Sequence, residues 1–402
     1  MAQAEVNIMT AGHVDHGKTT LVAAITGKWA STHSEELKRG ITIRLGYADA
    51  EIRRCRKCGE PSCWCTTENC PKCGGDTEVV RKVSFVDAPG HETLLATVIA
   101  ASSIIDGALF VIAANEKCPQ PQTTEHLMVL EAAGVKNIVV AQNKVDLVSR
   151  QQALENYNQI KEFLKGTSYE DAEIIPTAAN QKINLDALLD AIQRRIPTPA
   201  RDKTKPPKMY VARSFDVNKP GTKASDIKGG VVGGSLLYGV LRRGDEIEIL
   251  PGIMRSRKDK ISYHPIKTRV VSLHAGSEEL SEAGPGGLIA VETTLDPAAT
   301  RADSLIGSVL GKSGTIPEPK EAISVEAIPM PRQVEKFTGF SLNEPLVLGL
   351  GTATTVGFVS AQKKQRLELK LKKPLCAQPG DVLAVMRRTG NRWHLYGTAK
   401  VI

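Results

Sequence analysis

A short segment near the amino terminus has residue types and spacing suited to binding phosphate. Residues 12–19 read Gly-His-Val-Asp-His-Gly-Lys-Thr, which matches the phosphate-loop pattern G-x-x-x-x-G-K-[ST]. An apolar run precedes the segment and a helical pattern follows it, so backbone N–H groups and a helix N-terminus would face the phosphate oxygens. The pattern predicts a nucleotide-binding set of Asp15, His16, Gly17, Lys18, Thr19 and Thr20.

A second motif, Asp-Ala-Pro-Gly-His, would complete the phosphate chemistry. Lys18 would neutralise the β- and γ-phosphates, and the Thr19 hydroxyl would ligate Mg²⁺. Asp87 opens the second motif directly after a strand-like run and would hold Mg²⁺ through water. In the same motif the Gly90 N–H would contact the γ-phosphate, and His91 would orient the attacking water. We therefore predict that Lys18, Asp87 and His91 are the catalytic groups.

A third magnesium ligand is predicted in the polar segment Arg-Gly-Ile-Thr-Ile, where the threonine is Thr42. The segment shows no clear periodicity. Such a segment could close on Mg²⁺ when the γ-phosphate is present and open when it leaves. The predicted magnesium set is therefore Thr19, Thr42 and Asp87.

A separate tetrapeptide, Asn143-Lys144-Val145-Asp146, follows a strand-like run at 137–141. Ligands bind at the carboxyl ends of the strands in open α/β sheets. The Asp146 carboxylate can accept hydrogen bonds from guanine N1–H and from the exocyclic amine. Adenine offers neither donor there and would leave the carboxylate unpaired. We therefore predict that Asn143, Lys144 and Asp146 bind the base and select guanine.

Six of the eight cysteines fall within one short region, and four of them form two C-x-x-C pairs. The paired residues are Cys55, Cys58, Cys70 and Cys73. Their spacing is typical of a tetrahedral zinc site, and four thiolates leave no open position, so the site would be structural. A [4Fe–4S] cluster remains an alternative, whereas disulfides are disfavoured in a reducing compartment. Cys63 and Cys65 are left as spare or alternate ligands.

The spacing of apolar runs divides the chain into three domains. Residues 1–200 alternate β-branched apolar runs with helical patterns, which predicts a mostly parallel sheet with crossover helices. The cysteine pairs place an inserted ribbon at about 53–78. Residues 206–317 and 320–402 show short strands between Gly/Pro turns, which predicts two β-barrels. The predicted fold is an α/β P-loop domain with an inserted zinc ribbon, followed by two β-barrel domains.

Composition excludes several classes of protein. Apolar residues make up 41% and charged residues 24% of the 402 residues, which excludes wholesale disorder. No uncharged apolar run reaches the length of about 18 residues that a membrane helix needs. The amino terminus shows no basic region followed by a cleavage site. We expect a cytoplasmic protein with no membrane partner.

The net charge of +8 is concentrated after residue 200. Residues 201–275 hold 16 Lys/Arg against 7 Asp/Glu, and residues 361–402 hold 10 against 2. Such blocks suit a polyanionic partner, with nucleic acid as the first candidate. The alternative is a solvated basic surface.

Taken together, the phosphate loop, the threonine segment, the Asp-Ala-Pro-Gly-His motif and the Asn-Lys-Val-Asp motif resemble the translational GTPases. The two predicted barrels are similar to those of the elongation-factor-Tu-like branch, and the resemblance spans essentially the whole chain. One departure is visible in Pro176-Thr-Ala-Ala, where Ala178 occupies a position that is usually serine. The resemblance assigns Ala178 and Ala179 to the loop that touches guanine O6, and the backbone N–H of Ala179 can still make that contact.

The position of the cysteine ribbon, between Thr42 and Asp87, narrows the resemblance. A zinc ribbon inserted there resembles the gamma subunit of the archaeal and eukaryal translation initiation factor two, as do segments 38–47 and 211–221. The resemblance implies a heterotrimer with alpha and beta subunits and delivery of initiator methionyl-tRNA to the small ribosomal subunit. GTP hydrolysis, with a slow intrinsic rate, would act as the release switch.

Two other kinds of protein share these modules. One is a selenocysteine-type elongation GTPase, which normally carries a further carboxyl-terminal extension. The other is a regulatory GTPase subunit of a sulfate-activating enzyme. The ribbon and the basic blocks favour the initiation factor over the sulfate-activating subunit. Against the elongation GTPase, we expect no such extension, because the sequence stops at Ile402 after the second predicted barrel.

Four residues are candidates for contact with tRNA: Tyr47, Arg213, Lys219 and Lys223. Tyr47 lies just past the predicted magnesium threonine, so an exposed ring there could stack on a terminal base in a way that depends on the γ-phosphate. The basic residues would contact phosphates. The alternative is that Tyr47 is a core strand residue and the lysines are solvated.

Overall fold

The computed structural model describes residues 3–29, 46–88, 95–257, 260–332, 339–390 and 392–402. These residues form two compact units, Gln3–Pro199 and Ala200–Ile402. Among the helices described, none is long and apolar enough to cross a membrane.

The first unit contains a seven-stranded sheet in the order β3-β2-β4-β1-β5-β6-β7. Its strands are β1 (Val6–Ala11), β2 (Gly46–Cys55), β3 (Trp64–Cys65), β4 (Thr77–Asp87), β5 (Gly107–Ala113), β6 (Asn137–Asn143) and β7 (Glu173–Pro176). Strands β4, β1, β5, β6 and β7 run parallel to one another, and β2 is antiparallel to β4.

Helices connect the parallel strands of this sheet. The helices described are α1 (Lys18–Thr26), α2 (Leu95–Ser102), α3 (Pro121–Ala132), α4 (Arg150–Leu164) and α5 (Leu185–Arg195), with 3-10 turns at Val145–Leu147 and Ala179–Gln181. Every residue of β1 and β5 is buried, as expected for strands covered on both faces. Because the strands are parallel, the segments after β1, β4, β6 and β7 meet at one edge, where ligands bind in such sheets.

The cysteine ribbon joins β2 to β4 and packs onto the first unit through specific hydrogen bonds. Trp64 Nε1 donates to Asp190 Oδ1 on α5 at 2.9 Å, and the Trp64 ring packs against the core of the unit. Thr66 Oγ1 donates to the carbonyl of Ile25 near the end of α1 at 2.7 Å. The ribbon is therefore attached to the helix that follows the phosphate loop.

The second unit begins with a β-barrel closed by six strands in the ring β11-β16-β8-β9-β15-β12. The strands of this region are β8 (Lys208–Phe215), β9 (Val231–Tyr238), β10 (Leu241–Arg242), β11 (Glu246–Arg257), β12 (Lys260–Ala275), β13 (Glu278–Leu280), β14 (Glu282–Ala283), β15 (Ile289–Thr293) and β16 (Val309–Gly311). Two 3-10 turns, Ala224–Asp226 and Pro297–Asp303, lie in its loops. Met209, Val232, Ile249 and Leu310 belong to its buried core.

A second closed barrel follows, in the order β17-β20-β19-β18-β21-β22. Its strands are β17 (Lys320–Pro329), β18 (Pro345–Leu350), β19 (Ala353–Lys363), β20 (Arg366–Leu375), β21 (Val382–Thr389) and β22 (Arg392–Val401). Along β20, Leu367, Leu369 and Leu371 face inward, and the residues between them are exposed. This alternation is typical of a strand with one face on a core.

The two barrels pack against each other within the second unit. Thr352 Oγ1 of the second barrel donates to the carbonyl of Val211 at 2.8 Å, and Lys373 Nζ donates to the carbonyl of Ile306 at 2.8 Å. Val309 and Cys376 belong to one small apolar cluster. The predicted fold class, an α/β domain with a cysteine ribbon followed by two β-barrels, is confirmed.

Candidate functional site

Two glycines let the segment between β1 and α1 pack closely against the ends of β5 and β6. Gly12 has a φ of +136°, and a Cβ there would lie 2.2 Å from the carbonyl oxygen of Val111. Gly17 has a φ of +87°, and a Cβ there would lie 2.4 Å from Asn143 Nδ2. A side chain at either position would therefore collide with β5 or with the end of β6.

Lys18 is held inside this loop by backbone carbonyls. Its Nζ donates to the carbonyl of Gly12 at 3.0 Å and to that of His13 at 2.6 Å. Burial lowers the pKa of Lys18 to about 8, and the charges of Asp87 and Asp15 oppose that shift. The ammonium therefore sits within the loop, on carbonyl partners that phosphate oxygens can replace.

The structure brings Asp87 and Thr19 together at the edge of the sheet. Asp87 is fully buried, and its Oδ2 accepts from Thr19 Oγ1 at 2.6 Å. Its Oδ1 accepts from Thr10 Oγ1, also at 2.6 Å, which fixes the carboxylate on β1. A hydroxyl and a carboxylate are hard oxygen donors of the kind Mg²⁺ prefers, so the donor set fits that ion.

Three predicted residues of this region, Thr42, Gly90 and His91, lie outside the described residues. Their assigned roles stay predictions. Of the others, Asp15 is exposed at the tip of the loop with a φ of 60°, and Thr20 is half-buried in the first turn of α1.

Asn143 joins the phosphate loop to the loop after β7. It is buried, its Nδ2 donates to the carbonyl of His16 at 3.0 Å, and its Oδ1 accepts from the backbone N–H of Ala179 at 3.1 Å. The end of β6 is tied to the end of β7 as well, since Thr177 N donates to the carbonyl of Gln142 at 2.8 Å. The segments predicted to hold phosphate and base therefore form one connected structure.

The predicted base-selecting carboxylate is accessible. Lys144 adopts a left-handed conformation with φ 62°, and the chain then turns so that Asp146 is exposed. Asp146 Oδ2 accepts from Gln181 Nε2 at 3.1 Å, so it lies beside the loop that contains Ala178 and Ala179. Both alanines are buried, and the N–H of Ala179 has Asn143 as a partner within the chain.

Histidines and one glutamate lie beside the phosphate loop, on its protein side. The His16 side chain faces the protein, with Nδ1 at 3.1 Å from the carbonyl of Val111 and Nε2 at 3.4 Å from Glu116 Oε2. The second pair of atoms is not hydrogen-bonded, because the Val111 carbonyl can only accept and the proton of the neutral ring is therefore on Nδ1. Burial lowers the pKa of His16 to about 4, so the ring is neutral near pH 7.

His126 and Glu116 of this group were not predicted from the sequence. His126 lies on α3, fully buried, and its Nδ1 accepts from the backbone N–H of Gly12 at 3.0 Å. No motif marks either residue, because only the packing of α3 and of the segment after β5 brings them to the loop.

The four predicted zinc ligands come together. The Sγ atoms of Cys55, Cys58, Cys70 and Cys73 all lie within 4.8 Å of one another. Cys55 Sγ is 3.5 Å from Cys73 Sγ, and Cys58 Sγ is 3.8 Å from Cys70 Sγ. A tetrahedral zinc with bonds of about 2.3 Å separates its sulfurs by about 3.8 Å, so the arrangement fits that ion.

Cys63 and Cys65 lie outside this cluster. Both are buried, and Cys65 Sγ is 3.6 Å from the carbonyl of Thr67. Burial raises the pKa of the Cys63 thiol. Their positions fit a packing role within the ribbon.

The four candidate tRNA residues differ in exposure. Tyr47 belongs to the first unit, where it is half-buried on β2 and its hydroxyl oxygen is buried. In the second unit, Arg213 Nε donates to Asp303 Oδ1 at 2.9 Å, so this guanidinium already has a carboxylate partner. Lys219 and Lys223 are exposed in the loop between β8 and β9. Only the two lysines are freely accessible in the way that the prediction requires.

Family models match both ends of the chain. Residues 3–198 match the elongation factor Tu GTP binding domain. Residues 325–401 match the model described as initiation factor eIF2 gamma, C terminal.

The chain is also similar to solved elongation factors over its whole length. A bacterial selenocysteine-specific elongation factor has a TM-score of 0.76 and 24% identity, and the chain spans 58% of that factor's length. Translation elongation factor SelB of Methanococcus maripaludis, in complex with a GTP analogue, has a TM-score of 0.71 and 20% identity, with 100% of this chain and 79% of that chain covered. At these identities the likeness supports the fold.

Curated relatives of much higher identity decide between the alternatives. Translation initiation factor 2 subunit gamma of Methanococcus maripaludis is 54% identical over 404 residues, covering 98% of both chains. The same subunit of Methanothermobacter thermautotrophicus is 53% identical, with 98% of each chain covered, and that of Pyrococcus abyssi is 54% identical, with 98% of this chain and 97% of its own covered. These matches support the initiation-factor interpretation over a selenocysteine-type elongation factor and over a sulfate-activating subunit. The chain belongs to the gamma-subunit family of translation initiation factor 2, whose members are GTP-binding initiation factor subunits.

Proposed function

We propose that this GTPase subunit carries initiator methionyl-tRNA to the small ribosomal subunit in the cytoplasm, together with alpha and beta subunits. The observation that carries the proposal is the connected guanine-nucleotide site in a chain that matches gamma subunits over nearly its full length. GTP hydrolysis would release the tRNA, because loss of the γ-phosphate changes the contacts that hold the neighbouring segments.

Different residues of the first unit would bind the base, the phosphates, the magnesium ion and the attacking water. Asp146 accepts from guanine, and Lys18 exchanges its carbonyl partners for phosphate oxygens. Thr19 and Asp87 would hold Mg²⁺, which supplies charge neutralisation at the β- and γ-phosphates when bound. His91 would orient the attacking water, and Thr42 would complete the magnesium set.

Intrinsic hydrolysis would be slow. Among the described residues, the side-chain partners of the phosphate loop are histidine, lysine, glutamate, asparagine and aspartate, and none is an arginine. An arginine acting on the γ-phosphate raises the rate about 10³- to 10⁵-fold, so hydrolysis without such a contact is slow.

Replacing Asp146 should change base preference without disturbing the phosphate loop. Asp146→Asn should weaken GTP binding at least about 10-fold and strengthen binding of xanthosine triphosphate, since xanthine presents an acceptor where guanine has its amine. Lys18→Ala should instead weaken every purine triphosphate. Equilibrium titration with fluorescent GTP, GDP and xanthosine nucleotides would measure both effects.

The exposed Asp171 provides a matched control for this substitution. Asp171→Asn removes the same charge away from the nucleotide loops and should leave affinity and base preference unchanged. If Asp146→Asn behaves like Asp171→Asn, the base assignment is wrong.

Zinc content should depend on four cysteines and not on the other two of the ribbon. Elemental analysis should find one zinc per chain, lost in Cys70→Ala because a thiolate ligand is removed. Cys65→Ala is the matched control, since both thiols are buried but only Cys70 lies in the cluster. Nucleotide affinity should persist in both variants. Iron in fresh protein, or loss of zinc from Cys65→Ala, would overturn the assignment.

Binding of tRNA should depend on the bound nucleotide and on salt. Methionylated initiator tRNA should bind more tightly with a non-hydrolysable GTP analogue than with GDP, and more tightly than uncharged or elongator tRNA. Replacing Lys219 and Lys223 together with alanine should weaken binding several-fold and reduce its salt dependence, because phosphate contacts are lost.

Lys136 is the control for the lysine pair, because it is exposed just before β6, at the amino ends of the parallel strands. Lys136→Ala should not change tRNA affinity. Equal binding in the GTP-analogue and GDP states at matched ionic strength would contradict the carrier proposal.

A further inference from the structure

The first amide of the phosphate loop has a side-chain partner on a different element. Gly12 N donates to His126 Nδ1 at 3.0 Å, although the two residues are 114 positions apart in the chain. Both residues are buried, so neither water nor an exposed group can readily replace this contact. A buried backbone N–H without a partner is costly. The hydrogen bond therefore fixes the orientation of the peptide plane at which the loop begins.

The hydrogen bond also determines the tautomer of His126. Because a backbone N–H can only donate, His126 Nδ1 must be the unprotonated ring nitrogen, and the proton must be on Nε2. Burial is the main cause that lowers the pKa of His126 to about 3, and the nearby Lys18, His13 and His16 lower it further. The ring is thus neutral near pH 7 and remains an acceptor.

Gly12 has little freedom to compensate for a lost partner. Its positive φ and the 2.2 Å approach of an added Cβ to the carbonyl of Val111 show that the backbone is pressed against β5. Its own carbonyl accepts from Lys18 Nζ at 3.0 Å. The two sides of Gly12 therefore have different partners, His126 at the N–H and the phosphate-binding lysine at the carbonyl.

We propose that His126 is a positioning residue for nucleotide binding, which holds the phosphate loop in its binding conformation by accepting the Gly12 N–H at Nδ1. Without this acceptor, the loop would populate conformations in which the Gly12 N–H bonds to another group. In those conformations Lys18 Nζ would no longer contact the Gly12 carbonyl. Apparent affinity falls in proportion to the fraction of molecules that remain competent to bind. The inference rests on guanine-nucleotide binding at this loop and does not depend on tRNA.

Three substitutions separate an acceptor at this position from simple packing. In His126→Asn, Oδ1 is attached to Cγ as Nδ1 is in histidine, so it can accept from the same amide. His126→Gln moves the acceptor one bond further, and His126→Leu fills much of the space with no acceptor. The experiment measures affinity and dissociation rate of fluorescent GDP and GTP with the full chain.

The proposal predicts that His126→Asn stays within about 3-fold of the unchanged chain, while His126→Gln and His126→Leu lose about 10-fold or more, mainly by faster dissociation. If affinity instead follows side-chain volume, so that asparagine is the worst, the role is packing and the proposal is wrong. Equal affinity in all three variants, whether like the unchanged chain or equally reduced, overturns it as well. Failure of the unchanged chain to bind GTP would contradict the proposed function instead.

A second measurement observes the tautomer of the ring directly. In the unchanged protein labelled with ¹⁵N-histidine, the ring nitrogen shifts of the eight histidines report their tautomers. The proposal predicts one histidine that keeps the Nε2–H form between about pH 6 and pH 8, well above its lowered pKa, with Nδ1 shifted by an accepted hydrogen bond. This signal should be missing in His126→Asn. A proton on Nδ1 of His126 would overturn the proposal.

Discussion

The buried side-chain amide of Asn143 links the loops of the candidate nucleotide site. Asn143 has one donor and one acceptor group, and each is used on a different loop: Nδ2 on the carbonyl of His16 and Oδ1 on the N–H of Ala179. Removal of the side chain would leave the His16 carbonyl and the Ala179 N–H without this partner. An unsatisfied buried group of this kind destabilises the fold by about 1–3 kcal/mol. The phosphate loop, the Asn-Lys-Val-Asp turn and the alanine loop follow three different strands, and Asn143 is the side chain that contacts both of the other loops.

The cysteine ribbon is attached to α1 and α5 of the same unit. Its Trp64 and Thr66 bond to α5 and to the end of α1, the helix that begins at Lys18. Strand β2 leads to the ribbon from the predicted magnesium threonine, and β4 returns from it to Asp87. The ribbon therefore joins β2 to β4, between the predicted magnesium threonine and Asp87.

The sequence predicted the parts of the site that have fixed spacing. The phosphate loop, the Asn-Lys-Val-Asp turn and the four ribbon cysteines are local patterns, and the structure brings their residues together. The pattern did not identify β2 as a full strand, because small residues such as Ala48 and Ala50 fill its buried positions. The sequence did not predict His126 and Glu116, because only long-range packing brings them to the loop. For the same reason it did not predict that Asp303 accepts a hydrogen bond from Arg213.

The most direct test of this account is the nucleotide affinity and base selectivity of Asn143→Ala, with Asn158→Ala on the exposed face of α4 as the control. Titration with fluorescent GTP and ATP should show GTP affinity falling about 10-fold or more in Asn143→Ala. The preference for GTP over ATP should shrink as well, since the phosphate loop and the base loop lose their common partner. Asn158→Ala should behave like the unchanged chain. GTP affinity and selectivity that survive in Asn143→Ala would contradict the account.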